Sequence, residues 1–135
     1  MRYLAIDHGQ KRTGLALCDR AETVVSPLMV LEGSGRALVA KIEAVVREYE
    51  AEAFVVGLPY NMDGTEGPRA AEVRRFAEML SGATDLPLHF VEERLSSFEA
   101  EEKLVGRDLT RKRKKSRIDA VAAAVILQGF LDTKK

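Results

Sequence analysis

The stretch Tyr3-Leu4-Ala5-Ile6-Asp7-His8-Gly9-Gln10-Lys11-Arg12-Thr13-Gly14-Leu15-Ala16 sets two apolar runs on either side of a polar turn. The first run ends on a carboxylate, Asp7. Two glycines and two cations follow, and the second run begins at Leu15. This pattern predicts a β-hairpin with Asp7 at the tip of its first strand. An aspartate there lies on the rim of a sheet, where it can hold a metal. Gly9 is expected to turn with positive φ and bring the backbone close to a ligand. Lys11 and Arg12 are placed to meet phosphate oxygens, Arg12 bidentately. A plain hairpin with a solvated turn would use the same residue types.

Outward from the hairpin, residues 23–31 read as a third extended segment, and Pro27 inside it suits an edge strand or a bulge. Gly33-Ser34-Gly35 is a turn. A helix is expected from about Arg36 to Tyr49, with Leu38, Ile42, Val45, Val46 and Tyr49 on one face. The continuous apolar run Ala53-Phe54-Val55-Val56 fits a strand covered on both faces. A polar loop leads from it to Pro68, well placed as the first residue of a second helix. That helix runs to about Leu80, with Ala70, Val73, Phe76, Ala77 and Leu80 inward. Leu88-His89-Phe90-Val91 is a last strand, ending in Glu92-Glu93. A third helix is expected from Ser96 to near Gly106, where Ser96 and Glu99 have capping-box spacing. A fourth runs from about Ser116 to Leu131 with Ile118, Val121, Ala122, Val125 and Ile126 buried. The order β-β-β-α-β-α-β-α-α favours one α/β domain over residues 1–135, with a mixed sheet covered by helices.

Composition narrows the class. The chain has 135 residues, 46% of them hydrophobic and 31% charged, as expected for a globular protein with one core. No apolar run approaches the ~20 residues that span a bilayer. The N-terminus enters a strand-like run with no sign of a signal peptide, so a cytoplasmic location is expected. The single cysteine, Cys18, excludes an internal disulfide, and its apolar surroundings place it in the core. Net charge is zero but unevenly spread. Arg111, Lys112, Arg113, Lys114, Lys115 and Arg117 form a run of six cations broken only by Ser116. The rest of the chain sets 15 cations against 21 acids, a net charge of −6. An acidic body with one concentrated basic segment points to nucleic acid. Having no apolar period, the run is expected as a mobile loop over its first half.

Acids stand at the ends of elements: Asp7 after the first strand, Glu92 and Glu93 after the fifth, Asp119 in the first turn of the last helix. Carboxylates at the C-terminal ends of parallel strands share a rim, where sites form in open α/β sheets. Gathered carboxylates repel unless a cation joins them, and oxygen-only ligands select Mg²⁺ or Mn²⁺. Two such ions would clamp an in-line phosphodiester displacement. Each acid also has a plainer reading. Asp119 can cap its helix, one of the two alternating glutamates must face solvent, and Asn61 and Asp63 can make the turn at Gly64.

Four stretches, in order and at matching spacing, resemble the YqgF family of bacteria, described as Holliday-junction resolvases or pre-16S rRNA nucleases. They are Asp7 to Ala16, Val56 to Gly67, Val91 to Ser97, and Lys115 to Ala123. The resemblance covers nearly the whole chain. It implies an RNase H-like fold with strand order 3-2-1-4-5. It also implies a metal-dependent nuclease whose catalytic and metal-binding acids are Asp7, Glu93 and Asp119, with Mg²⁺ or Mn²⁺. The family usually carries aspartate where this chain has Glu92. Related resolvases bear the middle acid on strand four, next to strand one. Here strand five supplies it, about 9.6 Å from Asp7 at ~4.8 Å per strand. A glutamate on a curving strand end is expected to bridge that gap. Lys11, Arg12, Arg69 and the 111–117 cations would hold the backbone of structured RNA or branched DNA. Gly9, Gly57, Asn61 and Gly64 would shape loops beside the site. The ribosomal RNA role is the favoured expectation, with junction cleavage or a silent nucleic-acid-binding module as alternatives. The Asp-x-Gly turn also resembles the phosphate loop of actin-like ATPases and sugar kinases. Those need two such domains, and 135 residues supply one.

Overall fold

Alternation along the strands sorts the core by residue size. The computed structural model describes residues 1–93 and 111–134, and of residues 111–118 the backbone alone. Its elements are β1 (Tyr3–His8), β2 (Arg12–Cys18), β3 (Val25–Glu32), α1 (Gly35–Tyr49), β4 (Ala53–Pro59), α2 (Pro68–Ala83), β5 (Leu88–Glu93) and α3 (Arg111–Thr133). The expected helix over residues 96–106 lies outside the described residues. The strands form one sheet in the order β3-β2-β1-β4-β5. The β1–β2 and β2–β3 pairs are antiparallel, and the β1–β4 and β4–β5 pairs are parallel. This is the mixed sheet the element order predicted.

One face carries Leu4, Ile6, Leu15, Phe54, Val56 and Leu58, which pack with α1 and α2. The other carries Tyr3, Ala5, Ala16, Ala53 and Val55 under Ala123, Ile126, Leu127 and Leu131 of α3. Successive residues of a strand face opposite ways, so large side chains in one phase and small ones in the other give the sheet two different surfaces. The α1–α2 face has a thick aliphatic layer. The α3 face is lined by small residues, and the helix lies close upon it.

The local expectations largely hold. Pro68 opens α2, and its inward residues Ala70, Val73, Phe76, Ala77 and Leu80 are all buried. Pro27 sits on the edge strand, and the β2–β3 register skips Leu28 between Met29 and Pro27, a one-residue bulge. Cys18 is buried. Three expectations shift. β3 begins at Val25 rather than Thr23, because the Asp19 carboxylate accepts hydrogen bonds from the Thr23 and Val24 amides and the Thr23 hydroxyl, tying both residues into the turn. The buried stripe of α3 is rotated: Val121 and Val125 are half-buried, while Ala123 and Leu127 lie in the core. The helix also begins at Arg111, so the basic run is helical instead of a loop. Lysine and arginine are good helix formers with or without an apolar stripe.

Candidate active site

Asp7 ends the apolar part of β1 and pairs with Gly14 across the hairpin. By alternation its side chain shares the α3 face with Tyr3 and Ala5. Ile6 pairs with Val56, so Gly57 follows beside Asp7 in the next strand. Beyond it, Gly57 pairs with Val91 and Pro59 with Glu93. Glu93, in phase with Val91, points to the same face and is half-buried, whereas Glu92 is exposed. The alternation expected of the two glutamates therefore selects Glu93.

The third acid arrives from above. The Asp119 carbonyl oxygen lies only 2.0 Å from where a Cβ on Gly14 would stand. Strand and helix backbones meet there, which only glycine permits. Because α3 starts at Arg111, Asp119 lies about two turns inside it, away from the helix N-terminus. The capping reading fails for that reason.

The three carboxylates feel one another. Burial pushes Asp7 up to about 8, helped by the charge of Glu93, a side-chain hydrogen bond between Asp7 and Glu93, and the charge of Asp119. The Arg69 guanidinium opposes the rise. Glu93 thus spans the two strand spacings to Asp7. Asp119 in turn has Arg12 Nε 3.8 Å from its carboxylate. The Asp7–Glu93 hydrogen bond and the Arg12 ion pair each quiet part of the repulsion, and among the described residues no group of three or more acidic, histidine or cysteine side chains is arranged to hold a metal ion.

Arg69 projects from the first turn of α2 back to the hairpin. One of its terminal nitrogens donates to the His8 carbonyl at 2.7 Å, and the other pairs with Glu72. His8 stacks on Phe76 with ring centroids 4.4 Å apart. Burial and the nearby Arg69 charge hold its imidazole below the ordinary histidine value, against the pull of Glu72. Its Nδ1 and the hydroxyl of Thr13 are buried without a hydrogen-bond partner among the described residues. His8 lies in the polar turn of the hairpin pattern, which marks no partner for it. The nearby aromatic Phe76, assigned only to the core, carried no sign of this stack.

The remaining expected residues divide. Lys11 is exposed at the hairpin tip. Arg111, Lys112, Arg113, Lys114, Lys115 and Arg117 stand on the opening turns of α3. Gly9 does not have the positive φ expected of it. A Cβ there would stand 2.3 Å from the Arg12 carbonyl oxygen, so the hairpin's own tightness demands glycine. Gly64 does have positive φ, at 87°. Asn61 closes a turn around it: its amide donates to the Thr65 carbonyl and its side chain to the Thr65 hydroxyl, while Asp63 accepts from the Thr65 amide and hydroxyl. Asn61 and Asp63 therefore make the turn, as their plainer reading held. Gly57 is not in a loop; it is a buried residue of β4.

Carboxylates at the ends of parallel strands, one of them crossing from the fifth strand, accompany a match over residues 1–133 to the family model described as RuvX: Holliday junction resolvase. The chain belongs to the RuvX family, also called YqgF. A relative from Anaeromyxobacter sp. (strain Fw109-5), named "Putative pre-16S rRNA nuclease", is 49% identical over 133 residues, covering 98% of this chain and 97% of its own. One of the same name from Anaeromyxobacter dehalogenans (strain 2CP-1 / ATCC BAA-258) is 46% identical over 135 residues, covering 99% and 98%. Among solved structures, T. thermophilus RuvC in complex with a Holliday junction substrate superposes with a TM-score of 0.60 at 16% identity, over 98% of this chain and 97% of that one. That likeness gives this RuvX family member an RNase H-like fold. No helix among the described residues is long and apolar enough to cross a membrane.

Proposed function

We propose that the chain is a divalent-metal-dependent endonuclease, a single cytoplasmic domain that trims the 5′ end of the 16S ribosomal RNA precursor. The observation that carries this reading is the half-buried Asp7, pushed up to about 8 by desolvation, then by Glu93 and Asp119 beside it. A site that gathers acids until one must keep its proton has a deficit of positive charge. The donors are all carboxylate oxygens, which suits Mg²⁺ or Mn²⁺. Asp7, Glu93 and Asp119 would hold the ion, which when bound offsets the charge that builds on a phosphodiester and its attacking water.

The chain's own groups do the rest. In a cation-loaded site Asp7 would be held as its carboxylate, its proton lost to solvent. Arg12, 3.8 Å from the Asp119 carboxylate, and Lys11 at the hairpin tip would take phosphate oxygens of the substrate. Arg69, fixed to the His8 carbonyl, keeps a positive charge at the inner wall, where it also orients the β1 terminus. The cations at the start of α3 would add sequence-independent attraction for a nucleic-acid backbone.

The names of the relatives favour ribosomal RNA, and the family's description favours branched DNA. Cleavage of a 5′-extended 16S precursor and of a four-way DNA junction, in Mg²⁺ or Mn²⁺, separates them when the wild type is run beside Asp7→Asn. Cutting of the precursor alone, lost in the variant, is the expected result. Junction cutting alone would transfer the function to recombination. Tight binding of either substrate by both proteins without cutting would leave a binding module.

A further inference from the structure

We propose that Gly57 is a positioning residue, whose missing side chain opens the gap through which Glu93 crosses β4 to reach Asp7. The inference rests on reading Asp7 and Glu93 as parts of one cation site. β5 is not a neighbour of β1, since β4 lies between them. The Glu93 backbone pairs with Pro59, at the far end of β4. To meet Asp7 its side chain must run back along the α3 face and over Gly57.

The space above Gly57 is where it does so. A Cβ there would stand 2.7 Å from Glu93 Oε2, 3.3 Å from Glu93 Cδ and 2.6 Å from Ile126 Cδ1. All of these atoms belong to the far ends of flexible side chains. An alanine would therefore leave the sheet intact and displace what lies over it. For Ile126 that is a small repacking. For Glu93 it means leaving Asp7. Gly14 is the contrast, because the atoms facing it are backbone, and a side chain there would disturb the fold itself.

The two clashes at Gly57 can be separated. In Ile126→Val the atom Cδ1 is gone, so the G57A/I126V protein keeps only the collision with Glu93. Asp7→Asn and Glu93→Gln, singly and together, are then combined with this background and with the wild type. Melting temperatures are taken in chelator, and Mn²⁺ affinity is measured by calorimetry. In the wild-type background the two substitutions should be coupled, with a double variant that departs from the sum of the singles. In the G57A/I126V background they should add, and Mn²⁺ affinity should fall roughly tenfold or more. Equal coupling in both backgrounds overturns the inference. Loss of coupling in a protein whose wild type binds no Mn²⁺ upholds the crossing and removes the cation reading. Glu93→Asp, one methylene shorter beside an intact Gly57, guards against a variant that fails to fold. It should lose both the coupling and the affinity, and retention of both would equally overturn the proposal.

Discussion

Asp7 carries the sharpest consequence at the scale of single residues. Its ordinary pKa in an unfolded chain is near 3.9, and in the folded, metal-free protein burial and Glu93 push it up to about 8. Between those values the folded protein keeps a proton that the unfolded chain has lost. Folding then takes up a proton, and stability falls as pH rises from about 4 to about 8, levelling above that. Asp7→Asn removes the titration. The variant should melt higher than the wild type at pH 7 in chelator, by roughly 3 °C or more, and its melting temperature should be flatter over that pH range. It should lose cleavage at the same time. A variant that melts lower would mean that the carboxylates do not strain the fold. Gly14 is the opposite kind of residue. Gly14→Ala forces a Cβ against the Asp119 backbone. It should cost about 1–3 kcal/mol or more in denaturant unfolding, as overpacking does.

Among the elements, α3 carries both Asp119 and the basic run 111–117. Its buried half rests on small residues of β1, β2 and β4, and its first turns carry six cations. Changing Lys112, Lys114 and Lys115 to glutamine should weaken nucleic-acid binding without changing the metal requirement. The slope of log K against log salt should shrink by about 2–3, near 0.9 per lost phosphate contact on duplex and less on single strands. An unchanged slope would place substrate elsewhere. This helix also shows where reading a sequence runs short. Apolar spacing announced its second half, since Ala122 and Ile126 repeat at helical intervals. It could not announce the first half, because charged residues form a helix without leaving a period. The strands were legible for the converse reason: short apolar runs bounded by glycine, proline and polar turns announce them. Asp7 and Glu93 were legible as acids at strand ends; Asp119 was marked by the family pattern, because the helix end expected beside it lies about two turns earlier. The role of Gly57 was not, because it depends on a side chain from the neighbouring strand 36 positions later passing over it. A lone glycine within a strand signals close approach, yet says nothing of what approaches.

For the whole molecule, the two faces of the sheet divide the work. α1, α2 and the aliphatic layer form the larger core, while the α3 face gathers the acids over a floor of glycine and alanine. The larger aliphatic core and the gathered acids thereby lie on opposite sides of the sheet, while the α3 face keeps a smaller core of its own. The bulge at Leu28 and the proline beside it bear on a different matter, the behaviour of many copies in one tube. An outermost strand offers a row of unmet amides and carbonyls on which another chain can build. On β3 that row is broken twice within two residues, by a missing N–H and by a change of twist. Crowded solutions of the protein should accordingly resist sheet-to-sheet growth along this margin. Pro27→Thr, which restores the amide, should raise the sedimentation-average mass as concentration increases, while the unaltered chain should hold its mass. Equal masses throughout would mean that the guard lies elsewhere.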